Sequence, residues 1–185
     1  MKQNRTMILI AALIVVLAAL SRVAFYAQDF YFSPVIAMAL FSGAVIKDKK
    51  IAFIMPIVSM LLADILFEIS GIAKGFWGWG QLTGYGILAL ITVFGFYLRK
   101  INVLNVVGFS VASSLLFFFL SNSSYFLLEN NIYHTYASNF RGYMDCLAAG
   151  IPFLKTGLVA DLVYSAIFFG GYAAFEKYAN NRVLA

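Results

Sequence analysis

Residues 33–69 read SPVIAMALFSGAVIKDKKIAFIMPIVSMLLADILFEI, and this stretch decides the fold. Two apolar runs, Ser33–Ile46 and Ile51–Ile69, flank the charged segment Lys47-Asp48-Lys49-Lys50. Because each run is continuously apolar rather than alternating, it predicts an α-helix and not a barrel strand. A bilayer core of about 30 Å needs about 20 helical residues, so the second run can span it. The first run is short and would have to be tilted, broken or partly re-entrant.

Four further runs have the same character: Met7–Ala27, Thr83–Leu98, Val103–Leu120 and Thr156–Phe175. The chain is 63% hydrophobic and 11% charged, whereas a soluble domain usually carries about 25% charged residues. We therefore expect an all-α, polytopic membrane protein in which a bundle of six transmembrane helices forms a single membrane domain over residues 1–185. We read the first run as an uncleaved helix, because it is too long for a signal peptide.

The net charge of +5 is explained by membrane topology and does not require a nucleic-acid partner. If the N-terminus is cytoplasmic, nine basic residues fall on the inner side and four on the outer side. The inner residues are Lys2, Arg5, Lys47, Lys49, Lys50, Arg99, Lys100, Lys177 and Arg182, and the outer ones are Arg22, Lys74, Arg141 and Lys155. This asymmetry predicts that both termini are cytoplasmic.

The outer connections are rich in aromatic residues, unlike the short basic inner turns. Tyr31 lies in the first outer connection, and Trp77, Trp79 and Gln81 lie in or beside the second. An aromatic belt at the lipid interface is one interpretation. A lid over a ligand is the other, because rings offer stacking area and the interleaved glycines allow close backbone approach.

The third outer connection, about Ser121–Lys155, is too long to be structureless. Asn139 is placed to cap a short helix over Arg141–Ala149, and Gly150 and Pro152 would end it. We expect this helix to lie in the membrane interface between the fifth and sixth spans.

Three carboxylates lie within the apolar runs: Asp64, Glu68 and Asp161. Charged groups in spans are costly and normally face a protein interior or a water-filled cavity. At 1.5 Å per residue, Asp64 and Asp161 each lie about 9 Å below the outer surface. This common depth predicts a pocket that opens to the outside.

The candidate solute-binding residues are therefore Tyr31, Asp64, Glu68, Trp77, Trp79, Gln81, Asn122 and Asp161. Structural roles compete with this interpretation. Asp64 could cap a break in the third helix or pair with Arg22. Asp161 could pair with Lys155, and Glu68 could be solvated at the interface.

His134 and Cys146 are each alone of their type, so we expect no metal site and no cofactor. No nucleophile stands beside a base within a run, so we expect that the protein is not an enzyme.

Several stretches resemble an uncharacterised family of small bacterial membrane proteins described as transport proteins. They are residues 32–44 (FSPVIAMALFSGA), Pro56 through Asp64, residues 148–153 (AAGIPF) through Asp161, Phe168 and Gly170. The resemblance covers most of the chain and implies a location in the inner membrane of a bacterium.

The six-helix layout is more distantly similar to the S subunits of energy-coupling-factor transporters, which capture vitamins or metal ions. That similarity implies a transmembrane scaffold partner with two cytoplasmic ATPases. S subunits dock through an Ala-x-x-x-Ala pattern on their first helix, and the corresponding register here, Ala11, Val15 and Ala19, matches only in part.

These observations predict a membrane transport protein that binds a small vitamin-like solute from the outer side and mediates its uptake. Asp64 and Asp161 would bind a polar or cationic group, or couple to a proton. The alternative is a structural membrane scaffold resembling rod-shape proteins, which would need no ligand.

Overall fold

The computed structural model describes the backbone of residues 2–28, 32–76 and 78–183, and the side chains of residues 12–28, 32–76 and 78–177. The helices are α1 (Lys2–Tyr26), α2 (Val35–Val45), α3 (Lys49–Ser70), α4 (Trp79–Gly95), α5 (Val103–Ser124), α6 (Asn130–Tyr133) and α7 (Phe140–Val183). A π-helical turn, Tyr125–Glu129, joins α5 to α6. No strand occurs in these described ranges, so the predicted all-α class is confirmed.

The stretch from α2 to α3 folds as the predicted helical hairpin. Asp48 caps α3, because its carboxylate accepts hydrogen bonds from the backbone N–H groups of Lys50 at 2.9 Å and Ile51 at 3.3 Å. Gly71 ends α3 in the left-handed conformation, with φ of 68°, which glycine adopts without steric cost. The charged turn therefore defines one end of the hairpin, and Gly71 defines the other.

Helix α2 is the centre of the bundle, because it packs against α3, α4, α5 and α7. Gly43 and Gly95 let α2 and α4 approach closely. A Cβ atom on Gly43 would lie 2.1 Å from the Thr92 carbonyl oxygen, and one on Gly95 would lie 2.5 Å from that of Leu40. Helix α2 has 11 residues and is therefore only about 16 Å long. This length is about half of the thickness of a bilayer core.

The turn between α2 and α3 contains Lys47, Lys49 and Lys50, and the turn between α4 and α5 contains Arg99 and Lys100. These two basic turns lie side by side at one end of the bundle. The Lys49 ammonium sits 3.6 Å from the centroid of the Phe96 ring, and Phe53 also packs edge-on against Phe96. At the opposite end, Ser124 at the end of α5 donates a hydrogen bond to Thr83 at the start of α4. The bundle therefore has one end with basic turns and one end with longer connections.

Within the part of the chain whose side chains are described, three helical stretches are long and apolar enough to cross a membrane: Lys49–Ser70, Val103–Tyr133 and Phe140–Lys177. Three shorter apolar stretches accompany them: Ala12–Tyr26, Val35–Val45 and Trp79–Gly95. Each of the six apolar runs thus falls mainly within one helix, and the two runs identified as short, α2 and α4, are short helices. The fifth and sixth helical stretches are longer than predicted, because they extend into the predicted connection Ser121–Lys155.

The prediction of a separate interfacial helix over Arg141–Ala149 is wrong. Asn139 does cap the helix, accepting a hydrogen bond from the Gly142 N–H at 3.0 Å, but α7 then runs unbroken for 44 residues. Gly150 and Pro152 do not end it, because tertiary packing overrides local helix-breaking tendencies. Gly150 instead lies against α5, where a Cβ atom would come within 2.8 Å of Phe118 and 2.7 Å of Asn122.

Candidate functional site

Asp64 lies at the centre of a polar cluster that joins three helices. Its side chain is 1% exposed. Arg22 of α1 donates to Oδ1 at 3.2 Å, while the Tyr85 hydroxyl and Gln81 Nε2 of α4 donate to Oδ2 at 2.7 Å and 2.8 Å. A buried carboxylate requires such partners, since burying an unpaired charge is costly. The structural pairing of Asp64 with Arg22, left open by the sequence, is the arrangement observed.

The connection between α3 and α4 folds over this cluster. Gln81 Nε2 donates to the Gly75 carbonyl oxygen at 3.0 Å, and the Gly75 N–H donates to Glu68 at 2.9 Å. A Cβ atom on Gly75 would lie only 2.0 Å from the Asp64 carbonyl oxygen. Glu68, which is exposed, therefore holds this connection in place.

Of the three aromatic residues predicted to contact a solute, Trp79 is the one that the structure describes. Trp79 begins α4 and is 71% exposed. Tyr31 and Trp77 lie outside the described residues. The lid and the aromatic belt therefore both stay predictions.

Asp161 of α7 is also 1% exposed but has fewer partners. Ser114 of α5 donates to Oδ2 at 2.6 Å, and the backbone amide of Ala37, in the first turn of α2, also interacts with the carboxylate. Oδ1 has no hydrogen-bond partner of standard geometry among the described residues. The described side chains form one ion pair, Arg22–Asp64, so the alternative pairing of Asp161 with Lys155 is absent there.

Asp161 borders a cavity of about 420 Å³, here called the central cavity. Its walls come mainly from α1, α5, α7 and the start of α2, with Met60 of α3 and Leu88 of α4, and most of them are apolar. The polar residues in these walls are Arg22, Tyr26, Ser33, Ser114, Ser121, Asn122 and Asp161. Cavities of this size and composition are typical of small-molecule sites.

A second cavity of about 330 Å³, here called the loop cavity, lies beneath the α3–α4 connection. It is lined by Arg22, Tyr26, Asp64, Phe67, Ala73 and Lys74. The two acids predicted to share one pocket thus border different cavities. Arg22 and Tyr26 border both, so the cavities are neighbours.

Two of the eight predicted binding residues, Asn122 and Asp161, line the central cavity. Asp64 lines the loop cavity, and the buried Gln81 donates a hydrogen bond to Asp64. Sequence reasoning missed Ser114. The available signal was the spacing of Ser110 and Ser114, four residues apart in the fifth run, which puts two hydroxyls on one helix face.

The described positions on α1 that correspond to the docking pattern of S subunits are packed against α3 of the same chain. Val15 is 8% exposed and Ala19 is 0% exposed. Ala19 packs with Ala63 and Phe67 of α3, while the Val15 carbonyl oxygen accepts a hydrogen bond from Ser59. The side chain of Ala11 lies outside the described residues. A scaffold partner would therefore have to dock on another face.

These features define an all-helical protein with membrane-length helices and a central cavity that contains a buried carboxylate. The chain belongs to a family of unknown function (DUF6580), which matches residues 1–182. Comparisons with curated proteins and with solved structures found no match. The expected relationship to S subunits therefore has no support from named relatives.

Proposed function

We propose that this chain is a multi-pass protein of the bacterial inner membrane that binds a small solute in the central cavity and mediates its uptake. The observation that carries this proposal is Asp161, a buried carboxylate in the wall of a largely apolar cavity of about 420 Å³. A vitamin-like solute with a hydrogen-bond donor is the class of ligand that these walls would suit.

The charges at the ends of the bundle support an orientation with six spans. Lys47, Lys49 and Lys50 follow α2, while Arg99 and Lys100 follow α4 at the same end. Basic turns favour the cytoplasmic side. With this orientation both termini are cytoplasmic, and the α3–α4 connection and the loop cavity face the outside.

The short central helix supports solute entry from the outside. Because α2 ends at the basic turn and is only about 16 Å long, its first turn would lie near the middle of the bilayer. Val35 and Ile36 of that turn line the central cavity. The cavity would therefore reach a depth at which transport proteins bind their solutes.

The electrostatics at Asp161 also support ligand binding. A buried carboxylate oxygen without a hydrogen bond costs free energy, and a solute N–H or O–H group would remove that cost. The competing role is structural, because the carboxylate also lies at the positive N-terminal end of α2. The two roles differ in whether the protein holds a solute.

Mass spectrometry of protein purified in mild detergent tests the proposal. We expect the wild-type protein to retain a small solute and Asp161→Asn to lose it by tenfold or more, since hydrogen bonds to charged groups are worth about 1.5–3 kcal/mol. Asp145→Asn is the matched control, because Asp145 is an exposed carboxylate on the same helix. Retention by neither the wild type nor the control would favour the scaffold alternative and reject solute binding.

A further inference from the structure

Among the residues that the structure describes, Arg22 is the one charged residue that lines both cavities. In the central cavity it is accompanied by Asp161. The described walls of that cavity thus carry one basic and one acidic residue, and most of the remaining lining is apolar.

The guanidinium of Arg22 is only partly used by the protein. Its hydrogen bond to Asp64 is 3.2 Å long, whereas charge-assisted bonds of this type are commonly about 2.7–2.9 Å. The group also lies 5.5 Å from the centroid of the Phe67 ring. A guanidinium carries five N–H donors in a planar fork that suits carboxylates and phosphates, so donors remain for an acidic group.

Asp64 is held more firmly than Arg22. Two donors from α4, Tyr85 and Gln81, fill its Oδ2 at 2.7 Å and 2.8 Å. Because both oxygens of Asp64 already accept hydrogen bonds, it is a positioning residue that orients Arg22. Lys74 also lines the loop cavity and adds a second cation there.

We infer that the solute is amphoteric: Arg22 binds its acidic group, Asp161 binds its ammonium or other N–H donor, and its apolar body lies between them. This inference rests on the proposed function and narrows it, because a purely cationic solute would leave Arg22 unused. The loop cavity, with Arg22 and Lys74, would receive the acidic group first.

Matched trios of aromatic solutes test this charge pattern. One trio is L-phenylalanine, phenethylamine, which lacks the carboxylate, and 3-phenylpropionate, which lacks the amine. The tryptophan and tyrosine trios are built in the same way. We expect calorimetry on the detergent-solubilised protein to show that the amphoteric member of at least one trio binds most tightly. Arg22→Gln should weaken that binding by about tenfold or more and change binding of the amine by less than twofold.

Two further variants distinguish a loss of binding from misfolding or from a general effect of removing an arginine. Arg22→Gln leaves the buried Asp64 unpaired, so Arg22→Gln combined with Asp64→Asn removes both charges and should show the same loss of acid recognition in a folded protein. Arg99→Gln, an exposed arginine at the basic end, is the control and should bind like the wild type.

The outcomes separate the two proposals. If only amines or neutral solutes bind, or if the folded double variant binds all members like the wild type, the amphoteric inference is overturned while solute binding stands. If no member binds and the purified protein retains nothing, or only a phospholipid, both proposals fall.

Discussion

At the scale of single residues, two buried carboxylates for which the sequence predicts a similar depth have different surroundings. Asp64 accepts hydrogen bonds from three side chains, Arg22, Gln81 and Tyr85. Asp161 accepts one from a side chain, that of Ser114. The first arrangement satisfies the carboxylate within the protein, whereas the second leaves it able to accept a hydrogen bond from a solute.

Replacing Asp64 should destabilise the fold more than replacing Asp161. Asp64→Asn removes the negative charge that compensates Arg22, and we expect a loss of about 1–3 kcal/mol, as for a buried group left unsatisfied. The measurement is thermal or denaturant-induced unfolding in detergent, monitored by circular dichroism.

Asp145→Asn provides the surface control for this comparison, and the double variant Arg22→Gln/Asp64→Asn should recover part of the lost stability. An Asp64→Asn protein as stable as the control would show that the ion pair contributes nothing to the fold.

At the scale of elements, the contact between α2 and α4 depends on the absence of side chains at Gly43 and Gly95. Gly43 is buried, and the backbone of Thr92 occupies the place of its missing Cβ atom. Backbone cannot move aside as the end of a flexible side chain can. The central position of α2 therefore depends on this close approach. The same holds for Val35 and Ile36 of α2, which line the central cavity.

Gly43→Ala should force α2 and α4 apart. We expect a loss of stability of about 1–3 kcal/mol, typical of overpacking, and weaker retention of any solute, since Val35 and Ile36 of α2 line the central cavity. Unfolding in detergent and mass spectrometry of retained solute measure the two effects.

Gly86→Ala is the matched control for Gly43→Ala, because nothing lies within 4 Å of a Cβ atom at Gly86. In a helix interior alanine is favoured over glycine by up to about 1 kcal/mol, so this variant should be as stable as the wild type or slightly more so. Equal behaviour of the two variants would argue against the close packing of α2 and α4.

At the scale of the whole molecule, the bundle has one end with basic turns and another with longer connections and the loop cavity. Lys49 stacks on Phe96 and so joins the two basic turns. The proposed uptake requires this end to be cytoplasmic, because the loop cavity would otherwise open on the wrong side of the membrane.

Cysteine labelling in intact cells checks this orientation. In a Cys146→Ala background, a membrane-impermeant maleimide should label Lys74→Cys directly but label Lys47→Cys only after lysis. Both positions are exposed, so each cysteine is its own accessibility control after lysis. The reverse pattern would invert the topology and exclude uptake through the loop cavity.

The sequence by itself determined the existence and type of the main helices, and the approximate bounds of α1 to α4. Continuous apolar runs and charged turns act locally, so the turn at Lys47–Lys50 and the short length of α2 could be inferred without any knowledge of neighbours. The same local rules were wrong at Gly150 and Pro152, where α7 continues and Gly150 packs closely against α5.

Only the tertiary structure decided which partner each buried acid has and which cavity it borders. Arg22 and Asp64 are 42 residues apart, and Ser114 and Asp161 are 47 apart. Depth along a helix follows from counting residues, and it placed both acids near one level. The direction in which each side chain points depends on how the helices pack against each other, and a single sequence does not encode this in any local pattern.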